Sequence, residues 1–223
     1  MKLGLVTIGQ APRDDLLPDV APLLAGVEFV EHGALDALDV DALAELAPEP
    51  GEAPLTSRLR GGGAVVMGHR ALTGLLDDAV RRCESDGADA TLLLCTGHFG
   101  EIAAERPLLA AEPLVQHGVL GLAGNRSVGV ICPLPEQADD VRRRWEALLP
   151  GPVAVAAASP YTDSEDRLAA AAEALADAEL LVLDCVGYTE RMRAVVAAAA
   201  GRPVLLARAI AVHLAVELVH SLA

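Results

Sequence analysis

Aromatic side chains are almost missing from this sequence, which has two Phe, two Tyr and one Trp in 223 residues. Its apolar content is Ala, Leu and Val, which suits close helix packing rather than aromatic clusters. Positive charge is scarce too. Seventeen Lys and Arg stand against 32 Asp and Glu, for a net charge of −15. That balance argues against a nucleic-acid partner, whose phosphates demand clustered cations. It argues equally against an anionic membrane surface. A small anionic ligand stays open, because a few Arg residues and helix N-termini can dominate one pocket. No uncharged run approaches the roughly 20 residues of a membrane span, and Arg208, His213 and Glu217 break the apolar C-terminal stretch. No apolar leader ends in a small-residue cleavage site. The expectation is a cytoplasmic protein whose Cys83, Cys95, Cys132 and Cys185 stay reduced. Those cysteines form neither CxxC nor a Cys/His zinc spacing, so neither a metal nor a cofactor is expected.

What is present is a rhythm of short apolar runs closed by glycine. Leu3 to Gly9 reads as a buried parallel strand, followed by a helix start around Pro12 to Asp15. Val27 to His32 alternates as a more peripheral strand, and Asp36 to Leu46 reads as a helix. Thr56 to Arg60 and Ala64 to Gly68, joined by Gly61-Gly62-Gly63, predict a β-hairpin. The triple glycine lacks the Lys-Ser/Thr ending of a phosphate loop; its functional reading is a flap over a site. Strands follow at Ala90 to Cys95, Arg106 to Ala111, Ser127 to Cys132, Val153 to Ala158, Leu180 to Cys185 and Pro203 to Leu206. Helices are expected from Phe99 to Glu105, Glu112 to Ala123, Leu134 to Leu149, Ser164 to Ala176, Tyr188 to Ala200 and Ala207 to Ser221.

Three segments recur in order. Leu3-Gly4-Leu5-Val6 matches Val128-Gly129-Val130-Ile131. Cys95-Thr96-Gly97 matches Cys185-Val186-Gly187. Arg106-Pro107-Leu108-Leu109 matches Arg202-Pro203-Val204-Leu205, which also aligns His117 with His213. An ordered repeat implies duplication. The expected architecture is α/β: two pseudo-symmetric flavodoxin-like halves, each a parallel four-stranded sheet of order 2-1-3-4 flanked by helices, with the hairpin inserted in the first. The halves are placed at 1–112 and 113–223, the last helix packing across. Ligands bind beyond the carboxyl ends of such strands, so two facing halves would share one cleft.

Cys95 and Cys185, at matched strand ends, are the candidate catalytic pair. Around them stand the candidate binding residues Thr7, Gly9, Gln10, His69, Arg70, Thr96, Gly97, His98, Asp184, Val186, Gly187, Tyr188 and Arg191. His98 is placed to tune Cys95, and His69-Arg70 and Arg191 to meet an anion. Cys132, Cys83, His117 and His213 are expected to pack.

The chain resembles the aspartate/glutamate/hydantoin racemase superfamily and, over nearly its full length, the AroM family. The resemblance rests on Leu5-Val6-Thr7-Ile8-Gly9, Glu45-Leu46-Ala47-Pro48-Glu49, Val128 to Pro133 and Leu183-Asp184-Cys185-Val186-Gly187-Tyr188. It implies cofactor-independent proton transfer next to a carboxylate, one thiolate removing a proton and the opposite thiol returning one. Each thiol is expected just before a helix, whose N-terminus favours the thiolate, with backbone N–H groups at residues 96, 97, 186 and 187 for the substrate's oxygens. Amino-acid racemases carry Asn-Thr after the first cysteine and Thr after the second. Thr96-Gly97 and Val186-Gly187 depart from that, so the ligand is given only as a small carboxylate. Alternatives are a one-cysteine lyase or decarboxylase and a non-catalytic binder of a small anionic metabolite. A homodimer is compatible with the sequence.

Overall fold

The computed structural model describes residues 1–24 and 26–222. In chain order the elements are β1 (Lys2–Thr7), α1 (Leu17–Val20), β2 (Glu28–Gly33), α2 (Val40–Ala44), β3 (Leu55–Arg58), β4 (Ala64–Met67), α3 (Thr73–Ser85), β5 (Ala90–Leu94), β6 (Leu108–Ala110) and α4 (Ala111–Ala123). Then come β7 (Val128–Cys132), α5 (Ala138–Glu146), β8 (Ala154–Ala157), α6 (Glu165–Glu173), β9 (Leu180–Leu183), α7 (Glu190–Ala200), β10 (Val204–Leu206) and α8 (Ala207–Ser221). No described helix is long and apolar enough to cross a membrane.

Contacts divide the chain into two units. One holds Met1–Glu112 and the chain from Ala211 onward; the other is Pro113–Ile210. The boundaries fall inside α4 and α8.

In the first unit the parallel sheet has the order β2-β1-β5-β6, with Leu5 level with Leu92 and Glu31. In the second it is β10-β9-β7-β8, again parallel, with Val130 level with Val182 and Val155. Numbered within each unit, both orders are 2-1-3-4. The expected α/β architecture is therefore present, and so is the antiparallel hairpin β3-β4, which pairs Leu55 with Met67 in the first unit. The central strands are buried on both faces, which is why they read as unbroken apolar runs. Each unit has its own core: Val6, Leu72, Leu76 and Val80 lie in one, and Ile131, Leu168, Leu181 and Tyr188 in the other.

The matched glycines of β1 and β7 have a packing reason. A Cβ on Gly4 would lie 2.8 Å from Cys83 Cβ at the end of α3. One on Gly129 would lie 3.1 Å from Ala178 Cβ and 3.3 Å from Leu175 Cβ, just after α6. In each unit the bare strand lets the helix that leads into the cysteine strand settle against the sheet.

Several helices are shorter than their sequence suggests. Pro18, Pro22 and Gly26 confine α1 to one turn, continued by a 3₁₀ turn at Ala21–Leu24. The helix expected from Asp36 begins only at Val40, capped by Asp39. Asp36 spends its carboxylate earlier, accepting from the Gly33 and Ala11 N–H groups at 2.7 and 2.8 Å. The helix expected at Phe99 to Glu105 does not form. Acidic side chains of α3 take its donors instead: Asp77 accepts from Ala103 N–H (2.9 Å), and Glu84 from the N–H groups of Glu105 and Arg106 (2.7 and 2.9 Å). His117 and His213, expected to pack, are both exposed, at matched places on α4 and α8.

Gly4→Ala is expected to destabilise the fold by about 1–3 kcal/mol through overpacking. The loss should appear as a lower urea midpoint by far-UV circular dichroism. Gly129→Ala should cost less, because the nearest atom to its Cβ, Leu181 Cδ2, is the end of a movable side chain.

Candidate functional site

The two strand-end thiols are held in the same local way. β5 ends at Leu94 and β9 at Leu183, so each cysteine lies just past its strand. The chain then curls so that the N–H two residues on points back at the sulfur. Gly97 N–H donates to Cys95 Sγ at 3.3 Å, and Gly187 N–H to Cys185 Sγ at 3.3 Å. A donor aimed at sulfur favours the thiolate. These two N–H groups, expected to hold a substrate's oxygens, are directed to the sulfurs. The expected helix N-termini are not there. Cys95 is followed by irregular chain to β6, and Cys185 stands five residues before α7, whose N-cap is Thr189. All four cysteines carry thiols rather than disulfides, and Cys95 and Cys185 are buried, each 7% exposed.

In the first unit Cys95, Thr96, Gly97, His98 and His69 come together. A Cβ on Gly97 would stand 3.4 Å from Cys95 Sγ and 3.6 Å from His69 Cε1. His69 thus packs beside Gly97, against the turn that follows the thiol. Its Nδ1 lies 2.9 Å from the His98 carbonyl oxygen, so Nδ1 carries hydrogen and donates, leaving Nε2 as the acceptor nitrogen. The His98 ring turns away to Glu112, Nδ1 to Oε2 at 2.9 Å, and is largely exposed.

Thr7, Gly9 and Gln10 form a second group at the end of β1. Thr7 Oγ1 accepts from Gly9 N–H (3.3 Å) and from Arg13 Nη1 (2.9 Å). A Cβ on Gly9 would collide with the Arg58 carbonyl and Ser57 Oγ, so this glycine lets the hairpin cross over the strand end. The Gln10 amide bridges: its nitrogen donates to Leu35 O (3.2 Å), and its oxygen accepts from Arg60 N–H (3.0 Å). Arg13 is buried and grips Asp15 through two bonds of 2.8 Å. A concavity of about 320 Å³ opens beside it, lined in part by Asp15, Arg58 and Arg60. Arg70 stands apart, exposed and paired with Glu49 at 2.7 Å.

In the second unit the Cys185 surroundings are buried. Tyr161 Oη lies 3.8 Å from Cys185 Sγ. Asp184 Oδ2 accepts from Trp145 Nε1 at 2.8 Å. Tyr188 is wholly buried and donates its hydroxyl to Ala158 O at 2.6 Å; burial pushes that phenol well above its ordinary range. Val186 offers its carbonyl to Arg208 Nε at 2.8 Å. Arg191 is exposed and bound to Glu165. Cys132, packed below, donates its thiol to Leu134 O at 3.4 Å. Burial first, then the Asp184 charge, pushes it up to about 12; burial does the same to Cys83, also to about 12.

Three supporting residues have no signal in the strand pattern. Tyr161 sits in the β8–α6 loop. Glu112 and Arg208 are the second residues of α4 and α8, in the register that pairs Arg106 with Arg202. Each is buried and holds the loop after its unit's cysteine, one through a carboxylate and the other through a guanidinium. That repeat register was the available clue. Among the described residues no group of three or more His, Cys, Asp or Glu is placed to hold a metal ion.

The fold of these two sheets is shared by solved structures of low sequence identity. Similar solved structures are a glycine-to-cysteine variant of arylmalonate decarboxylase in a sulfate-associated form (19% identity, TM-score 0.66, covering 100% of this chain and 95% of that one) and glutamate racemase from Aquifex pyrophilus (14%, 0.61, 100% and 84%). A third is the maleate isomerase Iso from Pseudomonas putida S16 (13%, 0.58, 98% and 92%). The chain belongs to the AroM family: the family described as AroM protein matches residues 3–219. No curated relative matches the sequence.

Two stability tests follow from these contacts. Trp145→Phe removes a donor from buried Asp184 and is expected to cost about 1–3 kcal/mol, read by denaturant titration with circular dichroism. For Asp15, burial pushes the carboxyl up, but Arg13's hydrogen bonds and charge outweigh it and hold the group below its ordinary 3.8. A depressed folded value stabilises above the unfolded one, and that gain is lost as pH falls through the folded one. The stability gap between wild type and Asp15→Asn should therefore be full at neutral pH and close as pH drops below 3.8.

Proposed function

We propose that this AroM-family protein is a cofactor-independent isomerase, a racemase or epimerase of a small carboxylate, with Cys95 and Cys185 as its acid and base. The observation that carries the reading is the duplicated turn: two buried thiols at equivalent strand ends, each receiving a backbone N–H at 3.3 Å. Inversion at a carbon next to a carboxylate needs one group to remove a proton and another, in the opposite protonation state, to supply one on the other face. Two thiols prepared alike meet that need. In the forward direction the Cys95 or Cys185 thiolate takes the hydrogen and becomes a thiol, while the other thiol delivers its proton to carbon and becomes the thiolate. The fold supports the chemical class: the similar structures include a racemase, an isomerase and a decarboxylase, and glutamate, maleate and arylmalonates are all carboxylates.

A second reading, a lyase or decarboxylase with Cys185 as its one working thiol, draws on the unequal surroundings. Cys185 lies against a phenol hydroxyl at 3.8 Å among buried groups, whereas the chain after Cys95 is irregular and carries an exposed His98.

The test is incubation with a panel of small chiral carboxylates in deuterated water, followed by NMR. The isomerase reading expects loss of the α-hydrogen signal, and Cys95→Ala and Cys185→Ala should each slow exchange at least about 100-fold. Absence of exchange on every carboxylate would sink it. Activity that survives Cys95→Ala but not Cys185→Ala would favour the one-thiol reading.

A further inference from the structure

We infer that each thiol has its own proton partner, delivered from the same place in each repeat: His69 to Cys95 and Tyr161 to Cys185.

The equivalence is topological. In each unit the chain leaves the edge strand, β2 or β8, and eventually enters the helix, α3 or α6, that leads into the cysteine strand. His69 lies shortly before α3 and Tyr161 shortly before α6. Both press on the glycine two residues past the thiol. A Cβ on Gly97 would stand 3.6 Å from His69 Cε1 and 3.4 Å from Cys95 Sγ. One on Gly187 would stand 2.5 Å from Tyr161 Oη and 2.6 Å from its Cζ. Each glycine lets its partner come close to the turn, in a space shared with Leu55 Cδ2 at Gly97 (2.7 Å) and Pro160 Cγ at Gly187 (2.8 Å), and Tyr161 Oη already lies 3.8 Å from Cys185 Sγ. The first unit reaches this arrangement by a longer route, because the hairpin is inserted before His69.

Chemically the two partners differ. His69 gives Nδ1–H to the His98 carbonyl, so Nε2 is the lone-pair nitrogen able to accept the Cys95 proton and stay beside the thiolate as imidazolium. Tyr161 is a hydroxyl, a donor to the Cys185 sulfur rather than a base. Other ionisable groups also face these sites. His98 and, through it, Glu112 stand near Cys95. Asp184, Tyr188, Cys132 and Arg208 stand near Cys185. They belong to one unit each, so each pairing makes a prediction about one cysteine alone.

The inference rests on the proposed reading only for the use made of the thiols; the pairing is tested without turnover. Native full-length protein is alkylated with iodoacetamide across pH 5.5 to 9.5, and modification of Cys95 and Cys185 is followed separately by peptide mass spectrometry. In wild type the Cys95 rate should show a second, lower inflection besides the thiol's own. The Cys185 profile should lack the lower one. His69→Asn keeps an N–H for the His98 carbonyl but deletes Nε2. It should slow Cys95 at pH 6.5 about tenfold or more, the effect of a one-unit shift, and leave Cys185 alone. Tyr161→Phe should slow Cys185 and leave Cys95 alone. A wild-type Cys95 profile without the lower inflection, or a variant that slows both cysteines equally or neither, overturns the pairing. If the pattern holds while no carboxylate exchanges its α-hydrogen, the pairing stands and the isomerase reading falls.

Discussion

A backbone N–H turned back onto a sulfur is the interaction on which the candidate chemistry depends. It needs a strand that stops just short of the cysteine, a glycine two residues on, and room beside that glycine for another part of the chain. All three conditions occur twice. The hydrogen bonds from Gly97 and Gly187 fix where each sulfur sits and supply a dipole that favours its charged form. No helix N-terminus has to serve that purpose. Cys83 and Cys132 show the contrast. Burial dominates at both, both are pushed up to about 12, and Cys132 spends its hydrogen on a carbonyl.

The duplicated scaffold holds these turns through equivalent positions filled with different chemistry. Bare glycines in β1 and β7 let α3 and α6 close on the sheets. The second residue of the helix after β6 or β10 then fastens the loop after the cysteine. In the first unit it is Glu112, which holds the ring of His98; in the second it is Arg208, which holds the carbonyl of Val186. The geometry is shared while the local charge is reversed. One backbone plan thus presents two thiols in different electrostatic settings.

The strands were legible because a doubly covered parallel sheet leaves an unbroken apolar run, and glycine or proline marks each end. The hairpin was legible from its glycine turn. The segment after Cys95 was not. Its composition admits a helix, but Asp77 and Glu84 on α3 take its N–H groups. That competition involves partners about 20 residues away, outside any local pattern. Tyr161 was hidden for a related reason: nothing near it in the chain points to a thiol 24 residues on. Arg13, read only as part of a helix start, is buried and locked to Thr7 and Asp15.

By itself, then, the sequence determined the two four-stranded sheets, their order, the ordered repeat and the identity of Cys95-Thr96-Gly97 and Cys185-Val186-Gly187 as matched strand ends. Those properties follow from periodicity and short-range turn chemistry, which are written locally. Only the tertiary structure decided that the glycine N–H groups face the sulfurs, that His69 reaches the turn after Cys95, and that Tyr161 adjoins Cys185. These depend on side chains brought together by helix-on-sheet packing, where a missing Cβ sets the closest approach and distance along the chain carries no information.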